Sequence, residues 1–75
     1  MSYKVLLENL RILQGRQNNT EMAHQIGAKS PVTWSARLER PGSLTLDELS
    51  KLSKRYGVSI VSMLQTPFFQ GGANK

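Results

Sequence analysis

The stretch from Asn19 to Arg40, NTEMAHQIGAKSPVTWSARLER, limits most strongly what this chain can become. It holds two short helical patterns joined by a tight connection. Met22, Ala23 and Ile26 fall on one side of the first helix and should face inward. Gly27 is placed to end that helix in a left-handed conformation, which costs glycine little. Ser30-Pro31 then opens the next helix. Ser30 caps it, and Pro31 at the first helical position gives up no needed N–H. Trp34 and Leu38 are four residues apart and share a face. Pro41-Gly42 stops the second helix.

The rest of the chain reads as support for this pair. A first helix is predicted from Ser2 to Gln14, with Ser2 as its N-cap and Tyr3, Leu6, Leu10 and Leu13 on one face. Gly15 ends it, and a polar connection runs through Arg16, Gln17, Asn18 and Asn19. The next helix is expected over Thr20 to Ile26, with Asn19 as N-cap and Thr20 as the alternative. After Pro41-Gly42, Thr45-Leu46-Asp47-Glu48 forms a capping box, and Leu46, Leu49, Leu52 and Tyr56 follow at helical spacing. Gly57 ends that helix. A short fifth helix covers Ser59 to Leu64, with Ile60, Met63 and Leu64 inward. No segment alternates with a period of two over a strand's length. The expectation is one all-α domain of five helices over residues 1–66, followed by a tail over 67–75.

Composition bears on partners. Ten Lys/Arg against five Asp/Glu give a net charge of +5, and the pI is about 10.1. Such a balance suits a polyanion. The basic residues recur through the folded part, at Lys4, Arg11, Arg16, Lys29, Arg37, Arg40, Lys51, Lys54 and Arg55, and do not form one basic arm. Cysteine is absent, so no disulfide supplements a small core, and a cytoplasmic location is expected. The apolar runs are far too short for a membrane span. His24 is the single histidine, and no nucleophile, acid pair or metal cluster has a persuasive shared site. No enzyme activity, cofactor, metal or small-molecule ligand is expected.

The order of signals from Thr20 to Leu64 resembles the Cro/repressor-type (XRE-like) helix-turn-helix family. The resemblance is carried by Met22-Ala23, by Ile26-Gly27-Ala28, by Trp34 and Leu38, by Leu44-Thr45-Leu46-Asp47-Glu48-Leu49, and by Tyr56-Gly57-Val58-Ser59. It implies a compact lambda-repressor-like domain whose third helix enters the major groove of DNA. The implied function is a sequence-specific transcriptional regulator, a Cro-like repressor of a phage or other mobile element, associated with the nucleoid. It would bind a palindromic operator as a homodimer, with half-sites roughly 34 Å apart. Two alternatives share the resemblance: an antitoxin-type protein-binding partner, and an architectural or excision factor.

The spacing departs from the common pattern. Trp34 follows Gly27 by seven positions where six is usual, so the turn is expected to be one residue longer. The outward face of the third helix is therefore derived from geometry, at about 100° per residue. With Pro31, Trp34 and Leu38 inward, Val32, Thr33, Ala36, Glu39 and Arg40 point away, and Ser35 and Arg37 flank. Ser30, Val32, Thr33 and Ala36 are candidates for base edges. Arg37 and Arg40 are candidates for guanine or phosphate, and Lys29, Asn18, Asn19, Thr20 and Ser43 for phosphate. The competing reading makes Val32 and Ala36 an edge of the core, and the two arginines a solvated or Glu39-paired surface. A dimer contact is expected from Val58, Ile60, Met63, Leu64, Phe68 and Phe69, with the phenylalanines covered either in cis or by a partner.

Overall fold

The structure, a computed structural model, describes residues 3–68. Among these residues it is all-helical, with α1 over Lys4–Gln14, α2 over Asn19–Gln25, α3 over Pro31–Glu39, α4 over Leu46–Tyr56 and α5 over Ile60–Gln65. A single 3₁₀ turn, Pro41–Ser43, links α3 to α4. No helix among the described residues is long and apolar enough to cross a membrane.

Leu6, Leu10, Met22, Ala23, Ile26, Trp34, Leu49, Leu52 and Met63 form the buried core, so every helix contributes to it. Leu13, Leu38, Tyr56, Ile60, Leu64 and Phe68 pack around its edge. Full burial of a side chain the size of leucine or methionine contributes about 1.5–3 kcal/mol.

The helix boundaries follow local chemistry. Ser30 caps α3 as expected: its hydroxyl accepts from the Val32 N–H, with Pro31 just inside. Thr45 and Glu48 make the expected reciprocal box at the start of α4. That helix ends at Gly57, whose φ of 68° lies in the left-handed region. Gly27, with φ of 80°, makes the sharp exit from α2.

Five expectations about the helices need correction. The N-cap of α2 is Asn18, one residue earlier than Asn19, and the helix ends at Gln25 with Ile26 as its C-cap. Asn18 Oδ1 accepts from the Glu21 N–H at 2.8 Å, and Glu21 accepts from the Asn18 N–H at 2.9 Å. That second bond needs a glutamate or glutamine three residues after the cap, and Glu21 stands three after Asn18. The first helix begins at Lys4 with Tyr3 in the cap position and no side-chain cap bond; Ser2 lies outside the described residues. Tyr3 does not extend the buried stripe, because its ring lies over Gly42, where a Cβ would meet it at 2.8 Å. Leu46 is 71% exposed. It stands in the first turn of α4, before that helix reaches the core.

The end of the fold also differs from the expected boundary. Asn9 is buried in α1, between Leu6 and Leu10. Its amide donates to the Met63 and Thr66 carbonyls, both at 2.9 Å, and its Oδ1 accepts from the Phe68 N–H at 2.9 Å. One carboxamide thus satisfies three backbone groups at the end of α5. Phe68 packs against the core in cis, so the folded unit runs at least to Phe68 and not to residue 66. Phe69 and the rest of the expected tail lie outside the described residues.

Candidate functional site

α3 has two sides. Trp34 is 0% exposed and is the helix's one fully buried residue. On the opposite side Val32 is 71% exposed, and Ala36, Glu39 and Arg40 are also exposed. These four positions span a continuous face at about 100° per residue. Val32 and Ala36 are therefore surface residues and not an edge of the core.

The inward direction is shifted from the expected one. Pro31 is exposed, while Thr33, Ser35, Arg37 and Leu38 are half-buried around Trp34. The inward arc runs from Thr33 to Ser35 and is centred on Trp34, and on its Arg37 side the guanidinium meets Glu48 of α4. Thr33 accordingly lies at the edge of the outward face and not within it.

Arg37 is the largest correction among the candidate contacts. Its Nε donates to Glu48 Oε1 at 3.0 Å and its Nη2 to Glu48 Oε2 at 3.1 Å. The two side chains are only 23% and 12% exposed. The hydrogen bond to Glu48 raises the Arg37 pKa, against the opposing effect of burial. Burial pushes the Glu48 carboxyl up, but the Arg37 and Thr45 hydrogen bonds together outweigh it and hold the group below its usual range. Glu48 thus closes the α4 capping box and ties α4 to α3. The Nε and Nη2 donors are engaged within the fold, so Arg37 has a structural role between α3 and α4.

The other candidates divide by position. Lys29 and Arg40 are exposed cations at the two ends of α3. Thr20 is exposed in the first turn of α2, and Asn18 is exposed but occupied as its cap. Ser30 is occupied as the α3 cap. Ser43 is exposed in the 3₁₀ turn, where its hydroxyl donates to the Arg40 carbonyl at 2.7 Å. Asn19 is half-buried and bonded to Ser35, its Nδ2 donating to Ser35 Oγ at 3.0 Å. The structure therefore brings Lys29, Val32, Ala36 and Arg40 together on α3 and its approach, with Asn19 and Ser35 at the border with α2.

A polar network behind this border has no periodic signature in the sequence. Gln14 joins Trp34, Gln17 and Asn19. Gln17 donates to the Tyr56 hydroxyl at 3.0 Å, and that hydroxyl donates to Gln25. The clue was the density of amides at Gln14, Gln17, Asn18 and Asn19, which reads by itself simply as a polar connection.

At the other end of the fold, Met63 is 0% exposed and cannot reach a second molecule. Val58, Ile60, Leu64 and Phe68 are partly buried against the core. Val61, absent from the expected contact set, is 63% exposed and is the freest apolar side chain of α5. Phe69 lies outside the described residues.

No protein-family model, curated protein or solved structure matches this chain.

Proposed function

We propose that this chain is a sequence-specific DNA-binding regulator with a lambda-repressor-like helix-turn-helix, formed by α2, the turn at Gly27 and α3. In this reading it is a Cro-like repressor of a phage or other mobile element, working in the cytoplasm on nucleoid DNA. The observation that carries the reading is the two-sidedness of α3. Trp34 anchors the helix completely, while Val32 and Ala36 stand free on the other side with Lys29 and Arg40 at the ends. A solvent-facing valine and alanine on a helix fixed by a buried indole suit thymine methyl contacts, and the flanking cations suit phosphates. The net charge of +5 supports the same partner.

One such helix reads only a few base pairs, so the protein acts as a homodimer on a palindromic operator. The contact between subunits is centred on Val61 with Ile60 and Leu64, replacing the buried Met63. The deciding experiment is selection of bound duplexes from random DNA. Enrichment of a palindrome with half-sites about one helical turn apart is expected. Absence of any enriched sequence overturns the reading.

A further inference from the structure

The indole N–H of Trp34 can only donate a hydrogen bond, and that fixes the direction of a closed chain of bonds. Trp34 Nε1 donates to Gln14 Oε1 at 3.0 Å. Gln14 Nε2 then donates to the Gln17 carbonyl at 2.8 Å and to Asn19 Oδ1 at 3.0 Å. With its oxygen used as an acceptor, Asn19 turns its Nδ2 to Ser35 Oγ at 3.0 Å. A reversed Gln14 amide would set N–H against the indole N–H and oxygen against the Gln17 carbonyl. No other orientation satisfies every partner. The chain leaves α3 at Trp34, crosses α1 and α2, and returns to α3 at Ser35.

The consequence falls on Ser35. Its oxygen accepts from Asn19, so its own proton is left to donate. Among the described residues that proton has no acceptor. Ser35 is half-buried, at the border between α2 and the exposed face of α3.

We propose that this chain leaves the Ser35 proton to donate a hydrogen bond to an acceptor oxygen of bound DNA, with Gln14 and Asn19 as its positioning residues. The inference rests on the DNA-binding reading and deepens it. Asn19→Asp is the informative variant. The new carboxylate still accepts from Gln14, but its second oxygen takes the Ser35 proton, turning the hydroxyl inward.

The test uses the full chain and a duplex enriched from random DNA. Affinity is measured for the parent, S35A, N19D and the double variant. The single Trp34 indole N–H resonance reports that the chain upstream of Asn19 is intact. S35A is expected to weaken binding about tenfold, the scale of a bond to a charged acceptor. N19D also adds a negative charge that repels DNA in either background. Its loss should therefore be larger in the parent than in the S35A background, where no hydroxyl remains to be turned. Equal loss in both backgrounds overturns the proposal, as does parent-like binding by S35A. A loss uniform across enriched sequences marks a phosphate oxygen, and a loss confined to one base pair marks a base edge; either supports the donor role. If N19D unfolds, S35A alone decides. If the parent protein binds no duplex, the DNA reading falls and this inference with it. If the parent binds and S35A matches it, only this inference falls.

Discussion

Arg37 on α3 grips Glu48 on α4 with two parallel hydrogen bonds, of 3.0 and 3.1 Å. The pair lies at the edge of the core, and Glu48 is shared with the Thr45 cap. Arg37→Ala therefore strips a charged partner from a mostly buried carboxylate. It is expected to cost on the order of 1–3 kcal/mol in denaturant unfolding. An unfolding midpoint equal to the parent's would show that the pair contributes nothing to the fold.

The same pair gives a pH dependence with a definite sign. The Glu48 carboxyl is held below its usual range in the fold. Its contribution is fully present above the unfolded-state value of about 4.3 and is lost as pH falls through the lower folded-state value. Stability should decline on that acid limb. Glu48→Gln should flatten the decline while lowering stability at neutral pH. An unaltered acid limb in that variant would assign it to other carboxyls.

Arg40 supplies the contrast. Its side chain is exposed at the end of α3. Arg40→Ala should weaken DNA binding and reduce its salt dependence by about one counterion. Unfolding should stay within about 0.5 kcal/mol of the parent, as at exposed sites. Full affinity at low and high salt would remove Arg40 from the interface.

Trp34→Ala should be severe, at roughly 3–5 kcal/mol, because it empties a large core site. It also orphans the Gln14 acceptor. Calorimetric unfolding would check this, and parent-like stability would mean that α3 is not anchored through Trp34.

Asn9→Ala should uncouple the end of α5. The Met63 and Thr66 carbonyls and the Phe68 N–H all lose their side-chain partner. Each group left buried without a replacement costs about 1–3 kcal/mol. Amide exchange should accelerate first at Phe68. Unchanged protection there would show that the tie is dispensable.

The parts of the fold with a local cause were legible. Ser30-Pro31, Thr45 to Glu48, Gly57 and the spacing of Leu6 and Leu10 act within a turn or two of the chain, and each did what its chemistry demands. Asn18 was legible in principle, since its box with Glu21 has the same form as that of Thr45 with Glu48. Contacts between distant residues were not. Arg37 sits where a surface cation and a buried ion-pair partner look alike, and only the approach of α4 separates them. Asn9 breaks the apolar pattern of α1, and its partners lie more than fifty residues away. On α3, the Trp34 anchor was readable, but the inward arc is centred on Trp34 itself, with Pro31 outside it and Arg37 within it.

Asn9 also bears on how the chain is made. Its partners are among the last of the described residues to be synthesised, while Asn9 is among the first. Until Met63 to Phe68 have left the ribosome, the α1 carboxamide has no backbone to hold and must remain in water. The site on α3 is mounted on a core that α1 helps to build. A nascent chain halted after α4 would thus carry the whole α2–α3 unit on a frame whose first helix is still unsecured.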